Sequence, residues 1–190
     1  MRPEQLRLLR ILWAAISGST VVFLVVLLVI RVQAPPTFEP DPLMLVVVGF
    51  TALAEAVMSV IMPKRMFAQT VRARKFEVVA RAADERMFDD SGRRARAFAD
   101  PAKSTQAAVP AYQTAMIIGL ALAEAVALSG FALAQLGSPL LAVVPFFVVA
   151  GGLMATKFPS EPALVRSLEQ AYDADLVGDE ARPGRAASGE

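Results

Sequence analysis

Hydrophobic and charged positions do not interleave along this chain; they separate into long blocks. Residues 11–30 (ILWAAISGSTVVFLVVLLVI) carry no charge. Residues 42–63 carry one, Glu55, and residues 104–156 carry one, Glu124. A helix needs about 20 apolar residues to cross a hydrocarbon core. The first two blocks are each one crossing long. The third is long enough for two, and Gly137-Ser138-Pro139 supplies the break, because Gly ends helices and Pro suits a first turn. The pattern predicts spans near residues 10–31, 43–62, 112–136 and 139–156. The last is the shortest and contains Pro145, which a membrane helix tolerates where neighbours satisfy the freed carbonyl. The expected fold class is all-α: a polytopic membrane protein of four transmembrane helices.

Arg2, Arg7 and Arg10 before the first block, and Val32-Gln33-Ala34 after it, also fit a cleaved signal peptide. The apolar run exceeds the ~7–15 residues of a signal core. Arg31 interrupts it before the cleavage-like site, and Pro35 follows directly, so a retained first helix is the expectation.

Charge then sets the orientation. Three basic residues precede the first span, eleven lie between residues 64 and 103, and four follow residue 156. With N- and C-termini both cytoplasmic, eighteen of nineteen Lys and Arg stay inside, as the positive-inside rule favours. Arg31 is the exception. The expected location is the bacterial cytoplasmic (inner) membrane, with multiple passes.

Residues 1–62 then form an N-terminal transmembrane hairpin and 63–111 a basic cytoplasmic segment. Residues 112–156 form a C-terminal hairpin, and 157–190 a cytoplasmic tail of one short helix followed by disorder. The four prolines Pro35, Pro36, Pro40 and Pro42 read as a stiff outer connector. Within the basic segment, Met66, Phe67, Val71, Val78, Val79 and Ala82 recur at helical spacing, predicting a cytoplasmic amphipathic helix between spans two and three. Its basic stretch, residues 64–96, is expected to meet anionic lipid, with a solvated helix packing against the span ends or against another chain as the alternative. Asp89-Asp90-Ser91-Gly92 and residues 99–104 read as loops. Ser160 is placed to cap a short helix through Tyr172 with Leu164, Val165, Leu168 and Tyr172 on its apolar side.

Composition removes most chemistry. The chain has no Cys and no His, so disulfides, thiolate or imidazole metal sites and histidine bases are excluded. The acidic run after Asp173 has Val177 and Gly184 where a calcium loop needs an oxygen ligand and Glu. No metal, no cofactor and no enzymatic activity are expected. Nor is nucleic acid, since six acidic residues offset the basic segment and no aromatic row offers stacking.

The informative residues are Glu55 and Glu124. An ionisable group within a span costs about 2.5–3.5 kcal/mol at the bilayer centre, so it turns toward protein. Both occur in one hexapeptide, ALAEAV, at 52–57 and 121–126, on spans of opposite direction. Such an inverted repeat is a device for building a midplane site. Thr51 and Ser59 flank Glu55 by four residues, and Gln113 and Gln135 lie eleven residues either side of Glu124, close to three helical turns. Ser17, Ser19 and Thr20 on the first span lie at a depth similar to Glu55. No cation lies within the spans, so the expected state is a neutral carboxyl or a pair sharing one proton.

Residues 117–137 (IIGLALAEAVALSGFALAQLG) resemble the carboxylate-bearing helix of the proteolipid ring subunits of rotary ATPases. That resemblance implies Glu124 as an ion carrier and Gly130 as the glycine downstream of it. The chain departs from that family in its long basic insert and its second, inverted Glu. It is also similar to small bacterial four-helix membrane proteins with an ALxEAVALxG helix. The expected function is a structural, assembly or accessory role, in a homo-oligomer or larger membrane complex, with Glu55 and Glu124 bonding helices together. The alternative is proton or cation translocation through a site of Glu55, Glu124, Thr51, Ser59, Gln113 and Gln135.

Overall fold

Prolines and aspartates mark where the helices begin. The computed structural model describes residues 3–33, 41–80, 96–174 and 176. Helix α1 (Pro3–Gln33) starts on a proline, whose missing N–H costs nothing in a first turn. Helix α2 (Pro42–Ala73) follows Asp41, whose carboxylate accepts the Leu43 N–H at 2.9 Å. Helix α3 (Pro101–Gln135) follows Asp100 in the same way, with the Lys103 N–H at 2.9 Å. Helices α4 (Leu140–Ala155) and α5 (Glu161–Tyr172) complete the set, α5 beginning directly after Ser160. Two three-residue strands, β1 (Val78–Ala80) and β2 (Arg96–Phe98), pair antiparallel with Val78 opposite Phe98.

Three helices, α1, α2 and α3, are long and apolar enough to cross a membrane. Helix α4 is apolar but has 16 residues, about 24 Å against a core of about 30 Å. The helices overrun the expected spans: α1 starts at Pro3, α2 continues ten residues past Pro63, and α3 starts at Pro101 rather than 112. Backbone hydrogen bonding does not stop where charge begins, and Lys, Arg, Met, Ala and Gln are good helix formers. This continuation absorbs Met66, Phe67 and Val71 of the expected amphipathic helix. Val78 and Val79 lie instead in β1, so the segment is not one helix. The stretch 99–104 is mostly the start of α3, not a loop. The turn at 89–92, Ala82, the outer prolines 35, 36 and 40, and the tail 177–190 lie outside the described residues.

The chain divides into two units. One comprises residues 2–65 and 113–160, the helical bundle. Its core joins Leu27 of α1, Ala52 of α2, Val126, Ala127, Leu133 and Ala134 of α3, and Val143, Phe147 and Ala150 of α4. Helix α3 is its centre: 44% of its most apolar window is buried, against 11% for α1 and for α2. The remaining surface of α1 and α2 is apolar and exposed, as at Val21, Val25, Val29, Val46, Phe50 and Leu53. Such a surface is stable against lipid, not water.

The other unit comprises residues 66–112 and 161–190. Phe67, Val71, Phe98, Val109, Leu164, Leu168 and Ala171 are buried in it. Tyr172 ties the end of α2 to α5: its hydroxyl donates to Val71 O at 2.9 Å and accepts the Phe76 N–H at 3.1 Å. Its ring packs on Phe76 and Phe98 at 5.7 and 5.3 Å. Leu164 and Leu168 form the apolar side expected of α5, joined by Ala171, while Val165 is half-buried.

Helix α3 ends at Gly137, whose φ of 92° suits glycine. Its N–H reaches Ala134 O and the Ser138 N–H reaches Leu133 O, both at 3.1 Å. Gly130 lets α3 and α4 approach: a Cβ there would lie 2.6 Å from Phe146 Cβ and 3.4 Å from Val143 O. Gly130→Ala is therefore expected to lose about 1–3 kcal/mol through overpacking, lowering the thermal midpoint in detergent. Gly18→Ala, with no atom within 4 Å of the added methyl, should leave that midpoint unchanged or raise it.

Candidate functional site

Glu55 and Glu124 are half-buried, not buried, and each bonds a serine on a neighbouring helix. Glu124 Oε1 on α3 contacts Ser19 Oγ on α1. Glu55 Oε2 on α2 accepts Ser129 Oγ of α3 at 3.2 Å. No hydrogen bond joins the two carboxyls among the described residues.

Register explains the separation. Gly119 of α3 stands beside Pro63 of α2, since a Cβ on Gly119 would lie 3.0 Å from Pro63 Cγ. Glu124 is five residues beyond Gly119, about 7.5 Å, whereas Glu55 is eight residues before Pro63, about 12 Å. The carboxyls thus stand at different levels, and Glu55 meets Ser129 instead. Five residues on a helix also turn through about 140°, so Glu124 and Ser129 leave α3 on different faces. One faces α1 and the other α2. Of the first-span hydroxyls, Ser19 bonds Glu124 and Thr20 contacts Met154 Sδ at 3.6 Å.

Ser19 Oγ has two partners, Glu124 Oε1 and Ile16 O, the latter at 2.7 Å. A hydroxyl carries one proton. The Ser19 hydroxyl is thus shared between its own helix and the carboxyl on α3.

The other expected site residues fall differently. Ser59 is fully buried; its hydroxyl donates to Ala56 O at 3.0 Å and accepts Lys157 Nζ at 3.3 Å. Thr51 is exposed and bonds Val47 O of its own helix at 3.0 Å. Gln113 is half-buried and Gln135 exposed, and neither bonds Glu124 among the described residues. Small groups suit the close helix approach that the glutamines, eleven residues away along α3, do not reach.

One cation, Lys157, comes close to the expected site residues without bonding either Glu. It lies just past α4, and its Nζ reaches back to Ser59 and to Leu153 O at 3.2 Å. Lysine stems reach along apolar surface in this manner. Burial, with the Lys64 charge adding to it, pushes its ammonium below the usual lysine value. The sequence signal was present: Lys157 is the first charge after Glu124. Ser129 was signalled only weakly, as a small polar residue beside Gly130.

Two further contacts fix helix ends. Arg31 donates to Ala134 O, at 2.7 Å, and to Ser138 O, meeting the open carbonyls at the end of α3. Trp13 Nε1 donates to Met154 O at 2.9 Å near the end of α4. Among the described residues no group of three or more acidic side chains could hold a metal ion. No protein family, curated protein or solved structure matches the chain.

Membrane hydrogen bonds contribute about 0.6–2 kcal/mol each. A double-mutant cycle of Ser19→Ala with Glu124→Gln should show coupling of this size in detergent unfolding, as should Ser129→Ala with Glu55→Gln. Crossing the pairs, Ser19→Ala with Glu55→Gln, should give additive losses.

Proposed function

We propose that the chain is a four-pass protein of the bacterial cytoplasmic membrane with a structural, assembly or accessory role. Both termini lie in the cytoplasm, and Glu55 and Glu124 act as hydrogen-bonding groups that hold the helices in register. The observation that carries this reading is that each carboxyl takes a serine from a different helix. Helix direction supports the topology: the Ser19–Glu124 and Arg31–Ala134 contacts require α1 and α3 to run parallel. The Glu55–Ser129 and Pro63–Gly119 contacts require α2 to run against α3. Basic-residue placement chooses the side, and Arg31 fits because its guanidinium is committed to carbonyls at the end of α3. Half-exposure of Glu55 and exposure of Thr51 favour a further protein surface over lipid at that point, in a homo-oligomer or larger complex.

The absence of cysteine makes topology directly testable. Gln33→Cys should react with an impermeant maleimide from outside intact cells, and Ala99→Cys only after the membrane is opened. The reverse pattern would overturn the orientation.

Proton translocation is the second reading, favoured by the contact of Glu124 with Ser19 and by the likeness of residues 117–137 to a proteolipid helix. The two readings diverge on substitution. Under the structural role Glu55→Gln and Glu124→Gln are mild, and the Leu variants lose about 0.6–2 kcal/mol of helix association each. Under translocation the parent protein carries proton flux in liposomes and either Gln variant abolishes it.

A further inference from the structure

Arg10, Lys64 and Lys157 lie at one end of the bundle unit, and none has an acidic partner among the described residues. Lys157 is placed by Gly119: a Cβ there would lie 2.8 Å from Lys157 Cε and 3.2 Å from Cδ, so the lysine stem lies across the glycine. Pro63 packs on the same spot, which brings its neighbour Lys64 alongside. The residue after Lys157 is Phe158, with the Arg10 guanidinium 5.6 Å from its ring centre. No ion pair with a carboxylate is found for any of the three among the described residues.

Lys157 is the least satisfied of them. Its ammonium has three donors; Ser59 Oγ and Leu153 O, both neutral, take two. A half-buried cation beside a second cation, bonded only to neutral groups, lacks the counter-charge that burial demands. Lysine capping of the α4 carbonyls accounts for the Leu153 contact, but not for the approach of Lys64.

The surroundings indicate which anion fits. Trp13 packs edge-on against Phe158 at 5.2 Å, at this same end. Tryptophan sits by preference at the headgroup level of a bilayer. Leu8 and Ile11 of α1 and Ile61 and Met62 of α2, within three residues of Arg10 and Lys64 in the chain, are exposed and offer surface to acyl chains. We propose that Arg10, Lys64 and Lys157 form a binding site for the phosphate of an anionic phospholipid headgroup. This is a site with fixed donors, distinct from diffuse attraction along residues 64–96, and it rests on the membrane reading above.

The test uses the full chain in detergent, titrated with phosphatidylglycerol or phosphatidylcholine. Native mass spectrometry counts the bound lipid, and fluorescence of Trp13, the single tryptophan, reports on the site. Phosphatidylglycerol is expected to be retained and to shift the Trp13 emission, with phosphatidylcholine doing neither. Lys64→Gln and Arg10→Gln should each weaken phosphatidylglycerol binding by about fivefold, and Lys157→Gln by at least as much. Lys103→Gln should not weaken it. Lys64 and Arg10 have exposed side chains, so they carry the test even if the Lys157 variant fails to assemble. Equal retention of both lipids, or no loss in the Lys64 and Arg10 variants, overturns the site. Inorganic phosphate that displaces phosphatidylglycerol and reproduces the Trp13 shift at millimolar concentration marks a free-anion site and overturns the lipid assignment. Protein that resists carbonate washing of membranes yet shows no lipid preference sinks the site alone; protein released by carbonate sinks the membrane reading with it.

Discussion

A carboxyl group on an apolar helix has to meet a polar group on another, because lipid supplies neither donors nor acceptors. In this chain that requirement falls on α3. Glu124 leaves it toward Ser19 of α1, and Ser129 leaves it toward Glu55 of α2. The two bonds fix the axial position of both neighbours relative to one central helix, and the greater burial of α3 follows from that position. Helix packing by small residues alone sets distance more firmly than register. A serine–carboxyl bond sets register, because sliding by one residue moves the partners about 1.5 Å apart along the axis.

The remaining contacts serve the same arrangement. Gly130 removes the side chain that would hold Phe146 off α3, so α4 closes against the central helix. Arg31 takes up carbonyls at the C-terminal end of α3 that would otherwise lack a donor. Trp13 does similar work at the opposite end of the bundle by bonding Met154 O. Each device satisfies open backbone or side-chain polarity at a place where water is scarce. This accounts for polar residues in a unit whose outer surface is so uniformly apolar.

The blocks of hydrophobic residues made the helical class legible, because a run of twenty uncharged residues has few other stable uses. Helix ends were less legible. Charge marks the onset of water, whereas α2 continues past Pro63, which removes one ladder hydrogen bond, because the residues after it are good helix formers. Val78 and Val79 fit a helical period, yet they form a strand paired with residues 96–98, a partner remote in sequence. The two glutamates were legible as the residues of interest, but their partners were not. Spacing along one helix identifies residues that share a face, and so it pointed to Gln113 and Gln135. The bonds actually made depend on the offset between helices, which Gly119 and Pro63 set through a contact no periodicity contains.

That offset also decides how charge is distributed across the bundle. Lys157 reaches inward as far as Ser59, one helical turn short of Glu55, and its ammonium stops on a hydroxyl. Glu55 bonds Ser129, and Glu124, three residues closer to the lysine level, bonds Ser19. No hydrogen bond or ion pair links Lys157 to either carboxyl among the described residues. The same offset that gives each glutamate a serine therefore leaves Lys157 bonded only to neutral groups, Ser59 Oγ and Leu153 O. Polar contacts inside the bundle are thus made between helices at matched levels, and the lysine charge stays at one end of it.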